Sequence, residues 1–483
     1  MRRAILLLCG AAAMAVVPAA AQQQHYLNPR DVAEAQRENP EIAQELGGAE
    51  TGPRASYVES IGRRVAAFSG VAQPAQEFHF TTLNSAVENA FSVPGGYVYV
   101  TRQLMTLMDD ESELAFALGH EVGHIAANHA HIREQYAARS PLGVFGQMIG
   151  AIFGPWAANR VLAQSKADLL SFSREQEYQA DTLGLRYMIE AGYDPAGAAE
   201  LLAALSRQSA LQARVQGRTN RQTPEWASTH PLSQNRMQRA LQEASATGRL
   251  GKGVLNRSLF LDELEGIYVD DDPAQGIIDG ATFTHPDLRI QFRVPTGYLM
   301  SNGTYAVTIS GSAGKAQFSG GRYSGTLDNY VYRVFQELTR GSGQIPIPPP
   351  QRTTINGMPA ALTTARVNTA SGLIDVSVVA YQWDPQHVYH FVMLTPGGYG
   401  IGPFVPMVNS LRRISLAEAS AIRPRVIHVV TVSPSDTIQS LAGRMAYPDF
   451  RLERFLSLNG LDANSRLAPG QKVKLIIYGA RRG

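Results

Sequence analysis

Leu118 to Ala130 reads "LGHEVGHIAANHA", with two histidines four apart and a glutamate beside the first inside an otherwise apolar run. Upstream, Asp110 is placed to cap a helix, and Glu113 follows three residues later at capping-box spacing. Leu114, Leu118, Val122 and Ile125 recur at helical spacing, so the segment is predicted to be a helix with one buried face. On that helix His120 and His124 share a face, one turn apart. Their ring nitrogens can converge on one ion at ~2.0–2.1 Å. Glu121 lies roughly 60° round from His124, given ~3.6 residues per turn, and is placed to reach a water rather than the ion. This is the geometry behind the H-E-x-x-H zinc signature. The competing reading is a helix whose histidines make ordinary hydrogen bonds. A chance match is expected in roughly one chain in a hundred of this length, so a third ligand has to decide.

A third histidine ten residues after the first would define the metzincin pattern, but Ala130 stands there. His129 and His131 are near misses, expected to face solvent or to rest against a ligand. The single cysteine, Cys9, lies in an N-terminal segment expected to be removed. A carboxylate or a distant histidine is therefore required. "SFSREQEYQADTLGLRYMIEAGYDP" at 171–195 reads as a second helix, stopped by Gly192 with Pro195 beyond. Glu177 and Asp181 are four apart on one face, so one can ligate while the other orients a ligand histidine. A solvated acidic face is the alternative.

"HEVGH" followed by "SREQEYQAD" resembles the zinc metallopeptidase family of the CAAX prenyl proteases and the HtpX heat-shock protease, in particular its soluble periplasmic, BepA-like branch. Two flanking stretches fit the same pattern: "NAFSVPGGYVYVT" at 89–101 and the H-P-x-x-x-x-R of "STHPLSQNR" at 228–236. The resemblance covers about residues 53–250. It implies a mainly α-helical zincin domain with a small β-sheet, holding one Zn2+ through His120, His124 and Glu177. It also implies Glu121 as general base, Asp181 as partner carboxylate, and His230 near the metal, able to fill its open position. Arg236 can stabilise developing charge or anchor its helix. In "GGYVYVT" the alternation predicts a strand, either an exposed edge that pairs with an extended substrate or an ordinary internal one.

The rest of the chain sets the context. Arg2 and Arg3, an apolar run from Ala4 to Val17, and Ala19-Ala20-Ala21 read as a signal peptide over 1–21. Its removal takes away two basic residues and no acid, bringing the formal +2 to zero. Apolar content of 44% and 17% charge fit globular domains, and no basic patch points to nucleic acid. Residues 22–52 are expected to be a loose arm, 53–250 the peptidase domain, and 251–275, with "DDDP", a linker. "SPLGVFGQMIGAIFGPWAAN" at 140–159 carries no charge and is read as helical core with a lid over the cleft, or as a surface in peripheral contact with membrane or substrate.

From Ala281 the pattern changes to period two. "LRIQFRV", "LIDVSVVAYQW" and "HVYHFVML" read as half-buried strands and "NYVYRVFQELTR" as a helix, giving an α+β domain over 276–415. "IPIPPP" at 345–350 is a loop within it. His285, His387 and His390 form no catalytic group there. Residues 425–479 read β-α-α-β and resemble the LysM module, on "HVVTV", Asp436-Thr437-Ile438, Leu458-Asn459-Gly460-Leu461 and Pro469-Gly470-Gln471, with Ser435 where glycine is usual. That resemblance implies binding to peptidoglycan, with a purely structural or protein-docking module as the alternative. The combined expectation is a secreted, periplasmic zinc endopeptidase acting on misassembled envelope proteins. A peptidoglycan-linked scaffold or chaperone with a latent zinc site is the alternative, and a cell-wall hydrolase a third reading.

Overall fold

The computed structural model describes residues 25–129, 172–215, 230, 234–338, 346–369, 372–462 and 464–481. The signal-peptide segment and residues 140–159 lie outside the described residues. Among the described residues no helix is long and apolar enough to cross a membrane.

Residues 25–52 are not a loose arm. Asn28 accepts a hydrogen bond from the Arg30 N–H and opens helix α1 (Pro29–Glu45). Ala35 and Ala43 of α1 pack against Leu83, Tyr97 and Tyr99, which the Gln- and Glu-rich composition concealed. After α2 (Pro53–Ala66) come strands β1 (His79–Leu83), β2 (Ala90–Val93) and β3 (Tyr97–Thr101) in spatial order β1-β3-β2. β3 is parallel to β1 and antiparallel to β2. The strand of "GGYVYVT" is therefore the central one, buried along its whole length, and β1 and β2 are the edges.

Short helix α3 (Arg102–Leu107) leads to the histidine-bearing helix α4 (Glu111–Ala126), in which every residue from Glu111 to His124 is buried. Asp110 caps it through the Ser112 and Glu113 N–H groups, while the Glu113 carboxylate accepts from the Asp109 N–H. Helix α5 (Arg174–Glu190) opens on a full capping box between Ser173 and Gln176. It runs antiparallel to α4 at very short range. A Cβ on Gly184 would lie 2.7 Å from the His120 nitrogen, and one on Gly123 would lie 3.2 Å from the Ala180 carbonyl. Glycine is what lets the two backbones approach so closely. Helices α6 (Ala196–Val215) and α7 (Gln234–Ala246) complete this domain.

The 251–275 stretch is not a linker. It holds helix α8 (Arg257–Leu264) and strand β4 (Tyr268–Val269), with Phe260, Leu261, Leu264 and Ile267 fully buried. The apolar residues of "SLFLDELEGIYV" outweigh the acidic run that suggested a tether.

Between 277 and 413 lie two sheets, a four-stranded one (β15-β7-β6-β5) and a seven-stranded one (β11-β12-β13-β14-β10-β9-β8). Their strands, in chain order, are β5 (Ile277–Asp279), β6 (Thr282–His285), β7 (Ile290–Arg293), β8 (Leu299–Asn302), β9 (Val307–Gly311), β10 (Gly314–Arg322), β11 (Gln351–Ile355), β12 (Met358–Thr369), β13 (Gly372–Asp384), β14 (His387–Pro396) and β15 (Arg412–Arg413). Helix α9 (Leu327–Leu338) covers one face of the larger sheet. β13 is not half-buried as its alternation suggested. Val376, Val378 and Ala380 face the α9 side, while Val379, Tyr381 and Trp383 enter the second core.

The last unit is β16 (Arg425–Thr431), α10 (Ile438–Ala442), α11 (Arg451–Leu458) and β17 (Lys472–Tyr478), in β-α-α-β order. β4 pairs with the other side of β16, so the sheet is β17-β16-β4. Its core is continuous with that of the peptidase domain. Ile427, Leu441, Phe455 and Leu475 belong to the same buried cluster as Leu114, Leu118 and Val122.

Candidate metal centre

The antiparallel pairing of α4 and α5 brings His120 and His124 against Glu177 and Asp181. His120 Nε2 and His124 Nε2 are 3.0 Å apart. Glu177 Oε1 is 3.5 Å from His124 Nε2, and its Oε2 is 3.7 Å from His120 Nε2. His230 Nδ1 comes within 3.2 Å of His120 Nε2 and 3.0 Å of Glu177 Oε1. The ligand atoms of these four buried residues all lie within 4.8 Å of one another. Ligands ~2.0–2.1 Å from a tetrahedral zinc sit about 3.3 Å apart, so nitrogen lone pairs converging at this spacing fit such an ion. Two imidazole nitrogens facing each other cannot both carry protons, which favours a cation at their focus.

Each ligand is held from behind. Asp181 Oδ1 is 3.0 Å from His120 Nδ1. His124 turns its Nδ1 to His129 Nδ1 at 2.9 Å, and His129 Nε2 meets Gln179 Oε1 at 3.1 Å. His129 is thus buried against a ligand rather than facing solvent. Arg236 grips both carboxylates, with Nη1 2.6 Å from Glu177 Oε2 and Nε and Nη2 at 2.8 and 2.7 Å from Asp181. It serves as an anchor for the acidic pair. Phe172 stacks on the His124 ring with centroids 3.7 Å apart.

The electrostatics suit a cation. Burial holds His124 well below its ordinary pKa, hence neutral and able to donate its lone pair. Burial alone pushes the Glu177 carboxyl up, but His230 and Arg236 together hold it well below its usual range. For Asp181, burial is likewise outweighed by Arg236 and His120, and its pKa falls to about 2.

Glu121 sits beside this cluster. Its Oε2 accepts a hydrogen bond from Ser92 Oγ at 2.8 Å, and its Oε1 lies 3.4 Å from His230 Nε2. Glu121, Asp181 and His230, expected to serve catalysis, and His120, His124 and Glu177, expected to bind metal, are therefore brought together. Ser92 and Gln179 were missed. Ser92 lies in "NAFSVPGG", where only its position on the edge strand marks it, and Gln179 follows from helical spacing with Gln176 once α5 is docked.

Comparison with known proteins places the same stretch. Residues 53–244 match Peptidase family M48. The beta-barrel assembly-enhancing protease of Yersinia pestis is 32% identical over 198 residues, which is 39% of this chain and 38% of that protein. The protein of that name from Escherichia coli K12 is 29% identical over 197 residues, again 39% and 38% of the two chains. The mitochondrial metalloendopeptidase OMA1 of Schizosaccharomyces pombe is 29% identical over 194 residues, covering 39% of this chain and 52% of its own. The chain thus spans under two fifths of the length of the bacterial relatives. The match to Peptidase family M48 thus lies over the helices that carry the His/Glu cluster, and residues 53–244 are a domain similar to that metallopeptidase family.

Proposed function

We propose that the protein is a zinc-dependent endopeptidase of the bacterial envelope. The observation that supports this most is the convergence of His120, His124, Glu177 and His230 beside Glu121. His120, His124 and Glu177 would hold the zinc. Bound there, zinc supplies Lewis-acid polarisation of the scissile carbonyl and acidifies a water. Glu121 Oε1 takes the proton from the attacking water and delivers it to the departing amine nitrogen, while Ser92 fixes its other oxygen. An extended substrate pairs with the free edge of β2, which runs alongside Glu121. His230 fills the fourth place and makes the resting site latent. Residues 425–479 would be a LysM-like contact to peptidoglycan. The relatives' printed name, beta-barrel assembly-enhancing protease, supports proteins of β-barrel assembly as the substrate class, and the signal-peptide reading of residues 1–21 supports the periplasm as location.

The test is cleavage of an unfolded outer-membrane barrel protein by the mature chain and two variants. Glu121→Gln should keep its zinc and lose ~10²–10⁴-fold in turnover. His230→Ala should be more active than wild type. Cleavage that survives Glu121→Gln removes the base. Inactivity of wild type and His230→Ala alike favours a scaffold or chaperone whose zinc is never used.

A further inference from the structure

A cavity of about 430 Å³ opens directly off the metal centre, with His124 in its wall. Its volume lies within the ~300–1,000 Å³ common for ligand sites. One wall is the last turn of α4, including Ile125. A second is the loop leaving edge strand β2, through Val93 and Pro94. The third is the segment that precedes α1, with Tyr26 and Leu27. That third wall was expected to be a loose arm, yet it is strapped in place. The Leu27 N–H donates to Glu77 Oε2 at 2.7 Å, and the Ala72 N–H donates to the His25 carbonyl at 3.0 Å. The walls also meet, because a Cβ on Gly95, at φ +92°, would lie 2.5 Å from the Asp31 carbonyl.

The direction of β2 says which part of a peptide would enter. Ser92 is bonded to Glu121, and the chain then proceeds through Val93 and Pro94 into the cavity wall. A peptide lying antiparallel on the β2 edge runs the opposite way. Residues that precede its scissile bond therefore pass Val93 and arrive over the cavity. Resting on the peptidase reading above, we infer that this cavity is the subsite for an apolar side chain on the N-terminal side of the cleaved bond. Tyr26, Leu27, Val93, Pro94 and Ile125 determine its specificity. The N-terminal arm is thereby part of the substrate-binding surface of the enzyme.

The experiment does not need turnover. A photoreactive benzophenone amino acid replaces Tyr26, which is 66% exposed at the cavity wall. The zinc-loaded full chain with His230→Ala is then offered two chelating peptides. One ends in a C-terminal hydroxamate, so all its residues lie on the N-terminal side of the metal. The other begins with a mercaptoacetyl group, so all its residues lie on the opposite side. Crosslinking to the hydroxamate peptide, at least tenfold above the mercaptoacetyl peptide, is expected. The same amino acid at Tyr305, 64% exposed in the β8–β9 turn and outside the cavity lining, should give none. Equal labelling of both peptides, labelling of the mercaptoacetyl peptide alone, or equal labelling from position 305 overturns the subsite. Failure of either peptide to bind at all marks failure of the metallopeptidase reading, and the subsite falls with it. In a chain that turns over, Tyr26→Arg should raise kcat/KM for an acidic over an apolar residue before the cleaved bond by ~10-fold, with no change for residues after it.

Discussion

His129 stands at the back of a ligand, and its effect should be read in metal affinity rather than in shape. For His124 Nε2 to face the cluster as a lone pair, its Nδ1 must carry the hydrogen, and His129 Nδ1 is the acceptor at 2.9 Å. Gln179 in turn accepts from His129 Nε2 at 3.1 Å. Such outer partners fix tautomer and ring orientation, and losing one typically costs ~10–100-fold in metal affinity. His129→Ala should show that loss in a zinc competition with a chromogenic chelator, with the unfolding midpoint of the metal-free chain little changed. Unaltered zinc affinity would make His129 a packing residue only. The ligand histidines and both carboxylates were legible in the sequence, because helical spacing alone puts each pair on one face. His129 was not, since its approach to His124 depends on the chain turning at Asn128, which takes φ 58° just after α4 ends. Asparagine is among the non-glycine residues that take this conformation most readily, but a single Asn does not specify the turn in an apolar pattern.

The pairing of α4 with α5 is the element that makes the site, and Gly184 is where it is tightest. A methyl group there meets the His120 nitrogen at 2.7 Å and the Gly119 carbonyl carbon at 3.0 Å. Both neighbours are helix backbone, so neither yields without moving a helix. Gly184→Ala should destabilise the fold by about 1–3 kcal/mol. It should also weaken zinc binding by shifting His120 against Glu177 and Asp181. Urea unfolding and zinc competition, run together, check both. A variant as stable as wild type with unchanged affinity would show that the helices can part freely. At this scale the sequence was less informative for strands. "GGYVYVT" reads equally as an edge or a centre, and only the order β1-β3-β2 settles that it is central. β13 likewise alternates in sequence but is covered on both faces, because its small residues Val376, Val378 and Ala380 lie under α9.

Across the whole molecule, the C-terminal unit behaves as part of the peptidase body. Lys474, fully buried on β17, donates to the Thr106 and Met108 carbonyls at 2.9 and 2.5 Å and pairs with Asp109 at 3.4 Å, just before α4 begins. Removing one partner of such a buried pair typically costs ~3–5 kcal/mol. Lys474→Met should lower urea stability by that amount, and adding Asp109→Asn should recover part of it. A single variant as stable as wild type would show that the two units are only loosely joined. The β-α-α-β order was readable from 425–478, but its docking was not, because its key contact joins residues 366 apart. The same sheet has a further consequence. Val269 of β4 and Arg425 of β16 are paired neighbours, although more than a hundred and fifty residues separate them in the chain. The buried apolar residues described between 277 and 413 pack into cores of their own. The stretch is therefore inserted between two neighbouring strands, and the Arg425–Asp279 and Arg481–Asp287 ion pairs tie it further to the C-terminal unit. A load placed on it by a bound partner enters and leaves the main body at two adjacent strands of the same sheet.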